Sequence, residues 1–446
     1  MNLFLRRSVR LAESRQTATL AEIPLPSLLF IPLKQHSGPE AEPVVEVGQE
    51  VSEGQLLGRA PLDRPDSAPV HTPCAGKVVG LVNKPLIGGK MGLCLAIEPS
   101  SPPTPLPEES DQGHHEPDRK ELFKVIREAG VVAGGVRALP LSRDVTPYHQ
   151  AEYLSEEDES EVKSIYTLVV SAVDREPVLA HQGYLAQANH PLLGVGLNAI
   201  QTLTNSARTV IAGDRGTDAE ALAGLIRFGH RSSLSVDGSL YPNGLKQVLV
   251  KTVTGDEIPQ PLDDPREVGV FFVRLEEAFW AGLAVTAGRP QFGKWLTVTG
   301  PDGQRRVALA LLGTPVGHIL ESLDLTPAEG GKVIIGGLLT GHTVYDLETP
   351  ITKQMGGLIV QRPDQVRRFE PRPCISCGLC VEVCPSRIVP GQLSKYCEYG
   401  RFEEAENNDL ALCIECGLCA YVCPAKRPMI HYFRHAKEEL MAGRDE

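Results

Sequence analysis

Eight of the eleven cysteines stand in two runs near the C-terminus, each reading C-x2-C-x2-C-x3-C-P. The first run is Cys374, Cys377, Cys380, Cys384 and Pro385; the second is Cys413, Cys416, Cys419, Cys423 and Pro424. Each supplies four thiolates, the donor set of a [4Fe-4S] cluster. In this pattern three closely spaced cysteines hold one cluster, and the fourth, beyond its longer gap, reaches the neighbouring one. The expected ligand sets are therefore Cys374, Cys377, Cys380 and Cys423 for cluster 1, and Cys413, Cys416, Cys419 and Cys384 for cluster 2. Two clusters that share crossed ligands must lie close together, so an electron can pass between them. The chemistry expected is conduction, with no catalytic residue assigned.

The competing use of four thiolates is a structural zinc site. Zinc motifs usually present two separated cysteine pairs, whereas here four cysteines crowd into eleven residues, twice. Cys74, Cys94 and Cys397 have no ligand partner at useful spacing and read as buried or free thiols. The connection from Cys384 to Cys413 contains the helix-compatible GQLSKYCEYGRFEEAENNDLALC, which points to an α-helical two-cluster ferredoxin fold. MIHYFRHAKEEL then reads as a closing amphipathic helix with Ile430 and Phe433 on its apolar side, serving packing alone.

The rest of the chain must position this tail. At 446 residues it predicts several domains. Hydrophobic residues at 42% and charged residues at 22% give the balance of a globular protein. A formal charge of -12 supplies no basic footprint, which argues against a nucleic-acid partner. Apolar runs such as Leu168 to Ala172 fall far short of the roughly 20 residues that span a bilayer. Met1 to Arg10 carries Arg6, Arg7 and Arg10, but Leu3 to Leu5 is too short for a secretory signal. An unexported chain in a reducing compartment follows, where cysteines serve as metal ligands or thiols sooner than as disulfides.

The fold class expected is multidomain α/β. Residues 24–98, with strand-turn-strand halves PVVEVGQEVSEGQLLG and APVHTPCAGKVVGLV, suit a barrel-sandwich docking domain without a carrier lysine at its tip. Residues 99–119, rich in Pro, Glu, Asp and His, form a linker in which His114 and His115 are solvated. Residues 120–262 alternate helix and strand, as in ELFKVIREAG, YTLVVSAV, GLNAIQTLTNS, ARTVIAG and DAEALAGLIRFG, which predicts a Rossmann-like parallel sheet. The acidic stretch Glu156 to Glu161 reads as a solvated loop. Residues 265–345 hold VGVFFV, WLTVTG and KVIIGG and suit a β-grasp, SLBB-like module. The two-cluster ferredoxin domain occupies 362–446.

Together with the phrases QHSGPEAEPVVEVGQEVSEGQLLG, YPNGLKQVLVKTVTGDEIP, GKVIIGGLLTG, PITKQMGGLIV and CIECGLCAYVCPAKRP, this organisation resembles the RnfC family of the Rnf electron transport complex. The resemblance runs from about Pro24 to the C-terminus. It implies a peripheral subunit on the cytoplasmic side of the inner membrane, held by membrane subunits of an Rnf-like complex and exchanging electrons with ferredoxin or a flavoprotein. In that family a segment of the form GxGGAGFPxxxK binds flavin mononucleotide (FMN) beside NADH. Here the corresponding stretch is VVAGGVRALPLSRDV: Gly134, Gly135 and Pro140 match, no lysine follows, and Arg143 is the cation available. A second flavin segment, roughly NGAECEPYLTAD, corresponds to SAVDREPVLAHQG, where Glu176 and Pro177 match and most other positions differ. Gly134, Gly135, Arg143 and Glu176 are thus the remnant flavin-site residues.

The leading expectation is an electron-transfer subunit that relays electrons through two [4Fe-4S] clusters, its own flavin site remodelled or lost. The alternative is an FMN-dependent, NADH-oxidising subunit with a divergent flavin site. A third class, a redox sensor or scaffold, is disfavoured because tandem crossed ligation characterises conduction.

Overall fold

The computed structural model describes residues 8–11, 18–61, 64–108, 118–133, 138–150, 164–215, 219–226 and 231–445. Two short N-terminal strands are recruited elsewhere: β1 (Val9–Arg10) pairs with Leu240–Tyr241, and β2 (Thr19–Leu20) with Arg305–Leu311. The barrel-sandwich follows as β3 (Leu29–Pro32), β4 (Glu42–Pro43), β5 (Glu50–Val51), β6 (Leu56–Arg59), β7 (Val70–His71), β8 (Gly76–Pro85) and β9 (Met91–Pro99). Two sheets, ordered β3-β9-β8-β5 and β4-β6-β7, enclose Leu29, Ile31, Leu57, Val78, Leu95 and Ile97. Cys74 and Cys94 are buried there as thiols.

Helix α1 (Arg119–Ala129) starts where the Asp118 carboxylate accepts from the Glu121 N–H, and ends at Gly130, whose φ of 62° suits a residue without Cβ. Helix α2 spans Leu141–Gln150. Strand β10 (Thr167–Ala172) is buried at every residue, as a central parallel strand covered on both faces must be. Helices α3 (His181–Ala188) and α4 (Pro191–Thr204) lead to β11 (Arg208–Asp214); α5 (Ala219–Ile226), β12 (Arg231–Val236), β13 (Leu240–Tyr241), α6 (Lys246–Thr254) and β14 (Val270–Arg274) follow. The sheet order is β12-β11-β10-β14, all parallel.

Here the structure corrects the sequence reading. VGVFFV, expected to open the β-grasp module, forms β14 and pairs parallel with β10. Its unbroken apolar run is that of a strand buried on both faces, and the chain continues directly into helix α7 (Leu275–Ala287). The second, mixed-sheet module begins instead at β15 (Gly293–Thr299), which pairs antiparallel with Arg305–Leu311 and parallel with Gly357–Gln361. With β16 (Arg305–Leu311), helix α8 (Val316–Ser322), β17 (Lys332–Ile335), β18 (His342–Val344) and β19 (Gly357–Gln361) it forms a six-stranded sheet ordered β18-β17-β19-β15-β16-β2.

The cysteine-rich tail is helical: α9 (Leu379–Glu382), α10 (Pro390–Glu398), α11 (Phe402–Glu406), α12 (Leu418–Val422) and α13 (Met429–Asp445). Ile430 and Phe433 bury as the amphipathic pattern requires. Packing is not all that α13 does, however. Its Arg434 and Lys437 reach across to Glu415 at 3.0 Å each, and Arg434 donates to the Thr340 carbonyl at 3.1 Å, tying the tail to the β17-β18 loop. Among the described residues no helix is long and apolar enough to cross a membrane. His114, His115, Gly134, Gly135 and Glu156 to Glu161 lie outside the described residues.

Candidate functional site

The two cysteine runs fold alike. Positive φ angles fall at Ser376 (55°), Gly378 (81°) and Arg387 (60°), and at the equivalent Glu415 (55°), Gly417 (80°) and Lys426 (53°). Such angles are uncommon outside glycine, and their repetition at matched positions turns backbone N–H groups inward. Accordingly the Ser376 N–H donates to the Cys374 sulfur at 3.4 Å, and the Glu415 N–H donates to Cys413. Gly378 and Gly417 then start α9 and α12, which carry Cys380 and Cys419.

The structure brings the eight thiols together in two sets. Cys374, Cys377, Cys380 and Cys423 line one cavity of about 660 Å³. Cys384, Cys413, Cys416 and Cys419 line a second, narrow space under Ile388, Ile430 and Phe433. Each set takes three sulfurs from one run and the fourth from the other. Helices α9 and α12 pack together, so the two sets are neighbours.

The donor chemistry fits iron-sulfur clusters. Four thiols converge on each space, and the N–H of Gly391 donates to Cys380. A Cβ at Gly391 would stand 3.5 Å from the Cys380 sulfur and 3.7 Å from that of Cys374, so backbone presses close there. A zinc site would instead hold four sulfurs around one ion at bonds of about 2.3 Å. Among the described residues no group of three or more His, Cys, Asp or Glu is disposed to hold a single metal ion.

The environments differ. Cys377 is exposed and Ile375 beside it is 66% exposed, whereas Cys416 and Cys419 are buried. Burial pushes the Cys413 thiol up to about 11 and those of Cys416 and Cys419 well above the ordinary range. Burial therefore favours neutral thiols, and iron must displace their protons. Cys397 is also buried, its thiol pushed up to about 11, and it lines neither space.

Of the remnant flavin residues, Arg143 lies 3.3 Å from Asp144, and both line a cleft of about 240 Å³ that Arg175, Arg274, Glu277 and Cys413 share. Glu176 is turned elsewhere. It is 1% exposed, and its oxygens accept from the N–H groups of Leu339 (3.0 Å) and Thr340 (2.9 Å) and from the Thr340 hydroxyl (2.6 Å).

Several polar groups of this region carry no signal in the sequence. Asp174 accepts from the N–H groups of Gln182 (3.1 Å) and Gly183 (3.2 Å) and lies 3.3 Å from His181 Nδ1, which is 3.1 Å from the Thr297 hydroxyl. Burial raises the Asp174 carboxyl to about 6 and holds His181 neutral. Lys294 and Glu276 form a buried ion pair at 2.5 Å. Each contact joins residues far apart in the chain or of unremarkable spacing, which is why no motif announces it.

Residues 6–101 match the RnfC barrel sandwich hybrid domain, and residues 373–427 match the 4Fe-4S dicluster domain. The C subunit of the ion-translocating oxidoreductase complex of Yersinia pestis bv. Antiqua (strain Antiqua) is 30% identical over 433 residues, covering 96% of this chain and 67% of that protein. Its counterpart from Serratia proteamaculans (strain 568) is 30% identical over 432 residues, covering 95% and 59%. That from Edwardsiella ictaluri (strain 93-146) is 30% identical over 444 residues, covering 96% and 52%. The chain thus spans between about half and two thirds of these relatives' lengths. Among solved structures, a chain of NAD+-reducing [NiFe]-hydrogenase in the H2-reduced state aligns at a TM-score of 0.49 and 12% identity, covering 73% of this chain and 63% of that one.

Proposed function

This chain belongs to the RnfC family, that of the C subunit of the ion-translocating oxidoreductase complex, and from that premise we propose that it is an electron-transfer subunit of a membrane-associated complex, working through two [4Fe-4S] clusters. The observation that carries the reading is the crossed gathering of eight thiols into two adjacent sets. When bound, each cluster supplies a one-electron couple, and two couples side by side make a relay.

The chain's own residues do the rest. Thiols of Cys374, Cys377, Cys380 and Cys423 hold one site; those of Cys384, Cys413, Cys416 and Cys419 hold the other. N–H groups directed at the sulfurs of Cys374, Cys380, Cys413 and Cys416 offset their negative charge and tune the potential. Ile388, Ile430 and Phe433 keep water from the inner site. The outer site, with Cys377 exposed, faces an electron partner such as ferredoxin or a flavoprotein. Attachment to the cytoplasmic side of the inner membrane then falls to partner subunits.

A relay without its own flavin is favoured by the commitment of Glu176 to the Leu339–Thr340 backbone and by the proximity of Arg143 to Asp144. Iron, acid-labile sulfide and released flavin, measured together on anaerobically purified protein, test this. About eight iron and eight sulfide per chain with no flavin is the expected result. One FMN per chain would assign NADH oxidation instead, and zinc in place of iron would sink the reading.

A further inference from the structure

A second cavity, of about 620 Å³, opens beyond the Arg143 cleft, and Arg175, Arg274, Glu415 and Lys437 line both. Its walls come from four parts of the fold: the barrel-sandwich (Lys90), the C-terminal ends of β10 and β14 (Arg175, Arg274), the β17-β18 loop (Gly336 to Gly341) and helix α13 (Arg434, Lys437). That volume is in the range of small-molecule sites.

The charges of the lining pair unevenly. Six cations and four carboxylates line the cavity, with Glu277 and Glu176 close behind the wall. Lys294 is matched by Glu276, and Arg274 is 3.5 Å from Glu277. Arg434 and Lys437 share the single carboxylate of Glu415, which leaves one cation in excess. The remaining acids are Glu406 and Glu438, the latter 3.9 Å from Lys90. Arg175 is left over: among the described residues its guanidinium has no hydrogen-bond partner or ion pair. It lies in the cleft within electrostatic reach of two like charges, Arg274 and Arg434, and of one carboxylate, Glu176, that makes no hydrogen bond to it. Glu176, next in the chain, is bound to the backbone of the β17-β18 loop. The two imidazoles of the lining, His181 and His342, are held neutral by burial and neighbouring cations, and add no charge.

A guanidinium withdrawn from water costs free energy unless an anion meets it, and its planar fork suits phosphate and carboxylate. One more donor of this lining lacks a partner. Gln182 is 1% exposed; its Oε1 accepts from the Glu276 N–H, and its Nε2 has no hydrogen bond. Apolar side chains also line the cavity: Ile87, Met355, and Leu440 and Met441 one turn along α13 from Lys437. We propose that this cavity binds a small organic anion, its phosphate or carboxylate group on Arg175 and Arg434 and its apolar body against Met355, Leu440 and Met441. This site involves none of the cluster cysteines and stands whether or not the electron-relay reading does.

Two fluorescent probes with the same body separate the two head groups: 1-naphthyl phosphate and 1-naphthoate, titrated into the anaerobic full chain with iron measured on the same sample. Saturable one-to-one binding of at least one probe is expected. Loss of a charge-assisted hydrogen bond in Arg175→Gln should weaken it about tenfold or more, with Arg175→Lys in between. Arg434→Gln gives an independent reading should Arg175→Gln fold poorly, and Met441→Gln should weaken binding through the apolar end. The phosphate probe binding alone, or the carboxylate alone, fixes the head group within the proposal. No one-to-one binding at full iron content would overturn it, as would affinity unchanged in both arginine variants. Binding intact in protein devoid of iron would sustain this site and count against the relay alone.

Discussion

Cys384 and Cys423 are each closest in sequence to one set of thiols and placed by the fold among the other. The proline after each turns the chain away once the fourth sulfur has crossed over. This arrangement makes a prediction that simple counting of cysteines does not. Cys384→Ser and Cys413→Ser should remove the same cluster, while Cys423→Ser and Cys374→Ser should remove the other. Each substitution should lower iron from about eight to about four per chain, and the reduced protein should keep one electron paramagnetic resonance signal common to the members of a pair. Cys397→Ser, a thiol that lines neither space, should keep about eight. If Cys384→Ser erased the signal that Cys374→Ser erases, ligation would run within each cysteine run and the crossed assignment would fall.

At the scale of elements, α4 and α7 cross closely above the parallel sheet through a reciprocal pair of glycines. A Cβ at Gly196 would lie 1.8 Å from the Ala278 carbonyl oxygen, and one at Gly282 would lie 1.9 Å from that of Leu192. Both obstacles are backbone, which cannot swing aside, so Gly196→Ala should cost about 2–3 kcal/mol by forcing the helices apart. Gly194, one position from the other face of α4, meets nothing within 4 Å, and Gly194→Ala should gain up to about 1 kcal/mol through helix propensity alone. Denaturant midpoints of the two variants compare these directly, and equal effects would refute the close crossing. Nothing in PLLGVGLNAIQTLT says which glycine is the contact, because the partner residue is some 80 positions away. The same distinction separates what the chain discloses from what it hides. The cysteine runs were legible because their spacing is local, and α1 because its Gly130 stop is local. Helices α4 and α5 and strands β10 and β11 followed from periodicity, whereas α2, α3, β12 and β13 did not. Membership of β14 in the parallel sheet did not, since a strand of five residues carries no mark of its neighbour. The cationic cavity did not either: Arg175, Arg274 and Arg434 meet only after the barrel, the two larger sheets and the tail have assembled.

Assembly of the whole molecule turns on a residue that reads as ordinary. Lys353 is 1% exposed, and its ammonium donates to the carbonyls of Gly130 at 2.7 Å and Pro69 at 3.3 Å. It thereby joins the barrel-sandwich, the end of α1 and the segment leading into β19. No carboxylate pairs with it among the described residues, and burial pushes its pKa down from 10.5 to about 7. The sign of the consequence follows from proton counts. Below about pH 7 the lysine is charged in both folded and unfolded chains, and the penalty of burying that charge is fully present. Between about 7 and 10.5 the unfolded chain keeps the proton that the folded chain has released, so stability gains from this group as pH rises. His36 and His71, both lowered further by this lysine, to about 4 and about 3, are neutral throughout that window and do not confound it. Lys353→Met removes the titration while keeping most of the volume. Parent and variant should therefore diverge with pH: the melting temperature of the parent minus that of Lys353→Met should rise between pH 6.5 and 9.5, by the equivalent of a few kcal/mol at most. A difference that stays flat would mean that the ammonium keeps its proton at the junction, held by its two carbonyls. A charge favoured there would make the difference fall only as the pH passes about 10.5, where the unfolded lysine loses its proton first, and the three parts of the fold would then be clasped by a cation rather than by a neutral amine.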